Sequence, residues 1–209
     1  MTYEVRLTIY IVAVVIVGLL LIAWLIYSPI KKWLWHHKTT EMFYRRVMKV
    51  TNYFDFYLVN DIKVKSGTVA VGKIDHIIGG NKYLYIISQC YFDGVIEARS
   101  DDKIWVFFSK DDKKCDFKNP IQVNNEIINA FCLSTNISKN FIKGIVLIND
   151  DCFVQRLDSG VGETILVPVS KLEEVIRKYE QDDVKPFSDM TLKQVILDLH
   201  DSNNVEEAK

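Results

Sequence analysis

The chain lacks the cysteine and histidine spacings that build zinc sites. Its four cysteines include no CxxC pair, and its four histidines do not stand at zinc-ligand distances from them. The cysteines also lie too far apart to suggest a disulfide framework, and no segment is repeated or of low complexity. The sequence therefore argues against a zinc finger, a small disulfide-stabilised protein and a repeat protein. The cysteines are Cys90, Cys115, Cys132 and Cys152.

The chain also lacks a large excess of charge of either sign, because its formal net charge is −1. Four lysines between residues 110 and 118 form a local basic run, but Asp111, Asp112 and Asp116 interrupt it. Such mixed charge is typical of a solvated loop, and it does not favour the strongly basic surface of many nucleic-acid-binding domains.

Charge is wholly absent from the run Leu7–Tyr27. As a helix rising about 1.5 Å per residue, this run would be roughly 30 Å long, the thickness of the hydrocarbon core of a bilayer. Residues 1–6 lack the basic segment of a signal peptide, and Trp24 and Tyr27 suit a membrane interface. The run is therefore predicted to be a transmembrane anchor, with a buried soluble helix as the alternative.

The flanks of this run predict its orientation. Only Arg6 precedes it, whereas six basic residues follow between positions 31 and 49, with Trp33 and Trp35 among them. The positive-inside rule predicts a single-pass protein of the cell membrane, with its N-terminus outside and everything after residue 30 in the cytoplasm. The basic aromatic segment is expected to lie on anionic lipid headgroups, and nucleic-acid binding is its alternative.

The rest of the chain alternates between helical and strand periodicity. We predict a helix over 40–52, strands over 54–64 and 67–80, and a third strand over 82–99 that continues past a bend at Asp93–Gly94. A strand at 103–108 precedes a predicted loop at 109–120. A helix then begins at Pro120, followed by a buried strand at 141–150, expected to pair in parallel, and an edge strand containing Pro168.

Ser170 and Glu173 form a predicted capping box for a helix over 171–180, and a last helix is expected near residues 191–199. This order of elements predicts an α/β fold, with a mixed β-sheet flanked by helices and preceded by one transmembrane helix. Four parts are expected: an anchor at 1–29, a basic aromatic linker at 30–40, an α/β domain at 41–170, and C-terminal helices with an acidic tail at 171–209.

Four short segments resemble, in order and spacing, the NERD (nuclease-related) domain. They are "GKIDHIIGG" at 72–80, "YLYIISQCYFDGVI" at 83–96, Trp105, and "FKNPIQVNNEIINAF" at 117–131. The resemblance spans residues 41–150. It implies a restriction-endonuclease-like fold of the PD-(D/E)XK superfamily, in which an Asp and the Glu of an E-x-K hold Mg²⁺ and the Lys helps to activate water.

Position by position, the resemblance covers the framework and departs at the site. Asp75 matches the family's aspartate, but Ser88 stands at the position of the Glu and Cys90 at that of the Lys. In the helix, the family's Gln and His fall on Val123 and Ile127. The other framework positions match: His76, Gly94, Asn119, Pro120, Asn124, Ile128, Ala130 and Phe131.

Because a single carboxylate binds Mg²⁺ weakly, and a thiol cannot replace an ammonium group, we predict a degenerate site without catalysis. Asp75 is the one candidate metal ligand, and no cofactor is expected. The leading hypothesis is a membrane-anchored module that binds nucleic acid or an unidentified protein.

Two further hypotheses stay open. One is an active Mg²⁺-dependent nuclease with a rearranged site, to which Lys73, Asp93 or Glu97 would contribute. The other is a membrane protein whose soluble part only stabilises a complex. The sequence leaves the oligomeric state open.

Overall fold

The computed structural model describes residues 3–66, 69–99, 101–111, 113–155 and 164–186, together with residues 194 and 197. Two compact units, residues 1–42 and 43–209, make up the chain. The elements are, in chain order, α1 (Tyr3–Phe54), β1 (Tyr57–Ser66), β2 (Val69–Gly79), β3 (Leu84–Cys90), β4 (Gly94–Glu97), β5 (Ile104–Ser109), β6 (Lys114–Lys118), α2 (Pro120–Thr135), β7 (Ile142–Ile148), β8 (Phe153–Gln155), β9 (Thr164–Pro168) and α3 (Leu172–Glu180).

Helix α1 extends over 52 residues, and it contains both the predicted anchor and the predicted helix at 40–52. Residues 43–54 of α1 belong to the second unit, where Phe43, Val47 and Val50 are buried at the predicted helical spacing. Among the described residues, no helix has the length and apolar composition needed to cross a membrane. The anchor at Leu7–Tyr27 stays a prediction.

The first sheet has five strands in the order β1-β2-β3-β7-β9. Strands β1, β2 and β3 pair antiparallel, since short connections join them, whereas β3-β7 and β7-β9 pair in parallel. The predicted parallel pairing of the strand after α2 is thus confirmed, and β9, which carries Pro168, lies at the sheet edge as predicted. Helix α2 packs against one face of this sheet, over Ile77, Leu84 and Ile86.

The second sheet has four strands in the order β6-β5-β4-β8. It corrects two predictions. The segment 109–120 is not only a loop, because it contains β6, which pairs antiparallel with β5. The predicted third strand is in fact two strands, β3 and β4, which belong to different sheets, and β8 was not predicted. The fold is therefore mixed α/β with two mixed sheets flanked by helices.

The two sheets meet at a bend between β3 and β4. Here the side chain of Asn149 accepts from the backbone N–H of Phe92 and donates to its carbonyl, both at 2.8 Å. Gly94 begins β4, and a Cβ at this position would lie 2.0 Å from the Phe108 carbonyl oxygen. The bend thus requires glycine, and it carries the chain from the first sheet into the second.

Helix α3 packs in the core on the other face of the first sheet, through Leu172 and Ile176. Its predicted capping box is wrong. The backbone N–H of Ser170 donates to the Asp150 carboxylate, and Glu173 instead forms an ion pair with Arg177. A 3₁₀ turn over Val169–Lys171 leads into the helix without a side-chain cap. The predicted helix at 191–199 lies outside the described residues, apart from residues 194 and 197.

Candidate active site

Asp75 lies where the antiparallel ladder between β2 and β3 ends. The last paired residues are His76 and Ile87, and beyond them the backbone N–H of Gln89 donates to Asp75 Oδ2 at 2.8 Å. The carboxylate therefore accepts a hydrogen bond from the strand that holds the two degenerate positions, Ser88 and Cys90. This contact gives Asp75 a structural role, because it satisfies a backbone donor at the end of the ladder.

The electrostatic surroundings of Asp75 are mixed. Burial raises the pKa of its carboxyl above the ordinary value, and the Gln89 N–H and the nearby charges of His76 and Lys73 oppose that rise. The charge of Asp61 adds slightly to the rise. Asp61 lies on β1 directly after Asn60, the residue that pairs with His76. Lys73 Nζ lies 2.5 Å from Asp61 Oδ1. Asp61 is thus the second carboxylate in the neighbourhood of Asp75.

Ser88, at the position of the family's Glu, is bound to helix α2. Its hydroxyl donates to Asn124 Oδ1 at 2.7 Å, and Asn124 is fully buried. The Asn124 amide nitrogen lies 3.5 Å from both the Ile86 carbonyl oxygen and Thr164 Oγ1. Since Ser88 and Asn124 satisfy each other, they form a closed polar contact between β3 and α2.

Cys90, at the position of the family's Lys, packs against an apolar cluster that includes Trp105, Val146 and Ile148. Burial raises the pKa of its thiol to about 12, and the charge of Asp75 adds to the rise. At neutral pH this group is a protonated thiol, so it is poorly suited to bind a metal or to act as a nucleophile. Its sensitivity to Asp75 also indicates that the fold brings these two predicted site residues together.

Helix α2 carries apolar contacts where the family has polar groups. Ile127 is buried, and its side chain lies so close to Gly72 that a Cβ at that glycine would be 2.9 Å away. Gln122 points elsewhere, since its amide donates to the carbonyl of Asp101 at 3.1 Å. The helix itself begins as predicted at Pro120, with Asn119 accepting from the N–H groups of Ile121 and Gln122. Position 127 therefore serves packing.

On the other side of the sheet lies a second polar group, formed by Asn60, His76 and Gln89. His76 is 4% exposed, and its Nδ1 is 2.7 Å from Asn60 Oδ1. His76 Nε2 and Gln89 Oε1 are both buried, and neither has a hydrogen-bond partner of good distance and angle among the described residues. Burial lowers the pKa of His76, and the charge of Asp75 and a contact with the Gln89 side chain oppose that effect.

The residues proposed to replace the lost charges are dispersed. Glu97 is exposed on β4 in the second sheet, and Asp93 precedes Gly94 at the bend. Lys73 forms an ion pair with Asp61. Within the described ranges, no three Asp, Glu, His or Cys side chains gather in a way that could hold a metal ion. Asp75 as a metal ligand stays a prediction.

Sequence reasoning missed Asn60, Asp61 and Gln89, and it read Asn124 only as a framework match. One signal was present for the first two, because "ND" interrupts an otherwise alternating strand, and Asp61 adopts a positive φ of 61° there. The contact between Ser88 and Asn124 had no comparable signal, since it joins residues of a strand and a helix that only the fold brings together.

Comparison with known families is consistent with this framework. A model of the family described as "Nuclease-related domain" matches residues 36–149, which include β1 to β7, α2 and the site around Asp75. No curated protein and no solved structure matches the chain. Because the matched residues make up more than half of the chain, the protein belongs to the nuclease-related domain (NERD) family.

Proposed function

We propose that this chain is a NERD protein without nuclease activity, which is anchored in the cell membrane and binds nucleic acid or a protein through its cytoplasmic domain. The observation that carries the proposal is the state of the two positions at which the family pattern has Glu and Lys. Ser88 is hydrogen-bonded to the buried Asn124, and Cys90 is a protonated thiol against an apolar cluster. Neither side chain can supply the charge that metal-assisted hydrolysis requires.

The state of Asp75 supports the same conclusion. A hard divalent cation needs several oxygen ligands, and Asp75 uses Oδ2 to accept the Gln89 N–H. Burial raises the pKa of this carboxyl, which disfavours the ionised form that a metal would need. The proposal therefore assigns Asp75 to the architecture of the β2–β3 edge.

The membrane anchor in this proposal is supported by the sequence alone. The uncharged run Leu7–Tyr27 and the basic aromatic segment after it support a single-pass anchor with the NERD domain in the cytoplasm. Flotation of the full chain with liposomes, compared with a chain lacking residues 1–29, tests the anchor. Protease access from one side of sealed vesicles tests the orientation.

One observation favours a second candidate function, an active nuclease with a rearranged site. Asp61 lies close enough to raise the pKa of Asp75, so two carboxylates share this edge of the sheet. With Mg²⁺ bound between them, the repulsion would become attraction to the ion. This candidate needs further ligands from water or substrate, and it makes Asp61 as necessary as Asp75.

The deciding experiment offers single- and double-stranded DNA and RNA to the full chain in detergent, with Mg²⁺ or Mn²⁺. We expect no cleavage above that of Asp75→Ala, together with saturable binding of a nucleic acid or recovery of a specific protein partner. The matched control is Asp101→Ala, which removes an exposed carboxylate whose residue bonds Gln122 only through its backbone carbonyl.

Cleavage that both Asp75→Ala and Asp61→Ala abolish, and that Asp101→Ala preserves, would overturn the proposal and establish the nuclease. Absence of cleavage together with absence of any binding would instead favour a soluble part that only stabilises a membrane complex.

A further inference from the structure

Strand β6 (Lys114–Lys118) is the outer strand of the second sheet. It pairs with β5 on one side, and within the described part of the chain no strand pairs with its other side. Four of its five residues are exposed, and Phe117 is the partly buried exception. A free strand edge presents unpaired N–H and C=O groups, which makes it a template for another strand.

This edge is held in a regular extended form. All five residues of β6 pair with β5, from Lys114 opposite Phe108 to Lys118 opposite Ile104. Aromatic contacts hold the side chain of Phe117 in place, because its ring centroid lies 4.9 Å from that of Phe92 and 6.2 Å from that of Trp105. An edge that is already extended loses little conformational entropy when a further strand adds to it.

The charges on β6 alternate in sign. Side chains two residues apart share one face of a strand, so Lys114, Asp116 and Lys118 lie on one face and Cys115 and Phe117 on the other. A row of lysines alone would protect the edge by repulsion, as many natural edge strands do. Here the central position is acidic, and the repulsion between two such rows depends on their register.

Two copies of this row are complementary in an antiparallel arrangement. When a two-fold axis passes through Cys115, Lys114 of each copy lies opposite Asp116 of the other. When the axis passes through Phe117, Asp116 lies opposite Lys118 in the same reciprocal way. An axis through Asp116, Lys114 or Lys118 instead places like charges opposite each other. Opposite charges directly across two strands stabilise their pairing, and like charges weaken it.

We propose that β6 pairs antiparallel with β6 of a second copy of this chain, which joins the two four-stranded sheets into one continuous sheet. The contact is isologous, so each favourable pair of charges occurs twice. Backbone hydrogen bonds supply the attachment, and the alternating charges select the register and the partner.

The test measures the mass of the full chain in detergent by sedimentation velocity over a range of concentrations. We expect a reversible dimer for the wild type. In Asp116→Lys the new lysine lies opposite Lys114 or Lys118 in the two favourable registers, so the dimer should dissociate at concentrations at least about tenfold higher than those at which the wild type does. Glu126→Lys, an equal charge change on the exposed face of α2, is the matched control and should dimerise like the wild type.

The inverted variant Lys114→Asp/Asp116→Lys/Lys118→Asp exchanges every charge of the row. It tests whether pairing depends on complementary charges between the two copies or only on the presence of Asp116. Its row is again self-complementary, so it should dimerise with itself in the same two registers. With the wild type those two registers place like charges opposite each other, so a mixed dimer should form only in the register centred on position 116. A wild type that is monomeric at all concentrations, an unchanged dimer in Asp116→Lys, or a folded inverted variant that stays monomeric would each overturn the proposal. Lys114→Asp and Lys118→Asp distinguish the two registers, since each weakens only one of them.

Discussion

The two faces of strand β3 differ at its carboxyl end. On the face toward α2, Ser88 and Cys90 replace the charged pair of the family pattern, and each fits its surroundings. Ser88 donates to Asn124, and Cys90 packs against an apolar cluster. On the opposite face, His76 belongs to the "IDH" segment that matches the family pattern, yet its Nε2 and the neighbouring Gln89 Oε1 are buried and make no well-formed hydrogen bond among the described residues.

This difference shows that the loss of the family's Glu and Lys is compensated on the face toward α2, where the new residues find suitable partners. A buried polar atom without a hydrogen bond costs free energy, whereas a satisfied or apolar replacement does not. On the face that resembles a nuclease site, the polar groups are therefore better satisfied, although its residues depart from the family pattern. The face that keeps a family residue holds the unsatisfied atoms. Three substitutions test this contrast.

The largest effect is expected for Asn124→Ala. The change removes the acceptor of the Ser88 hydroxyl and leaves a cavity at a fully buried position. We expect a loss of about 2–4 kcal/mol in the free energy of unfolding, measured by denaturant titration of the full chain in detergent. Asn129→Ala on the exposed face of the same helix is the control. An equal loss of stability in that variant would show that the buried contact between Ser88 and Asn124 contributes nothing of its own.

Cys90→Lys is expected to have an intermediate effect. It restores the family's residue but places an ammonium group against the cluster around Trp105 and Val146. Part of the cost is relieved because the lysine chain can reach toward water and toward Asp75, so we expect a loss of about 1–3 kcal/mol. Adding Asp75→Asn should enlarge the loss. Cys90→Val controls for side-chain size, and a Cys90→Lys protein as stable as the Cys90→Val protein would contradict the expectation.

The smallest effect, and one of opposite sign, is expected for Gln89→Met. The change removes a buried acceptor that makes no well-formed hydrogen bond, so the free energy of unfolding should stay unchanged or rise by up to about 1 kcal/mol. Ser88→Ala, one position away on the other face, should lower it by about 1 kcal/mol, because it leaves Asn124 Oδ1 unpaired. Thermal unfolding followed by circular dichroism measures both, and equal effects would mean that the two faces do not differ.

Much of the fold could be predicted because its signals are local. Helix α2 follows from Pro120 and the spacing of its apolar residues, and β7 follows from a continuous apolar run. Strands β6 and β8 could not be predicted in the same way. Lys114–Lys118 is polar, and Phe153–Gln155 is only three residues long, so each is a strand because of its neighbour in the sheet. Their formation depends on tertiary pairing, which outweighs local preference.

The site divides in the same way between local and distant information. The positions of Asp75, Ser88 and Cys90 could be predicted from short segments around them, but their partners could not. Gln89, Asn124 and Asp61 reach the site from three different elements, and no spacing in the chain reveals their contacts. The failed capping box at Ser170 has a similar cause, since Asp150, twenty positions away, binds the same N–H.

The parallel pairing of β3 with β7 has a consequence for how the protein folds. Strands β4 to β6 and helix α2 all lie between these two strands in the chain, so their pairing must close a long loop. Strands β1, β2 and β3 follow one another closely in the chain and can form early, whereas the addition of β7 is the slow, non-local step. During synthesis, the inner edge of β3 therefore stays unpaired until β7 has emerged from the ribosome, and in that interval it is the segment most exposed to aggregation.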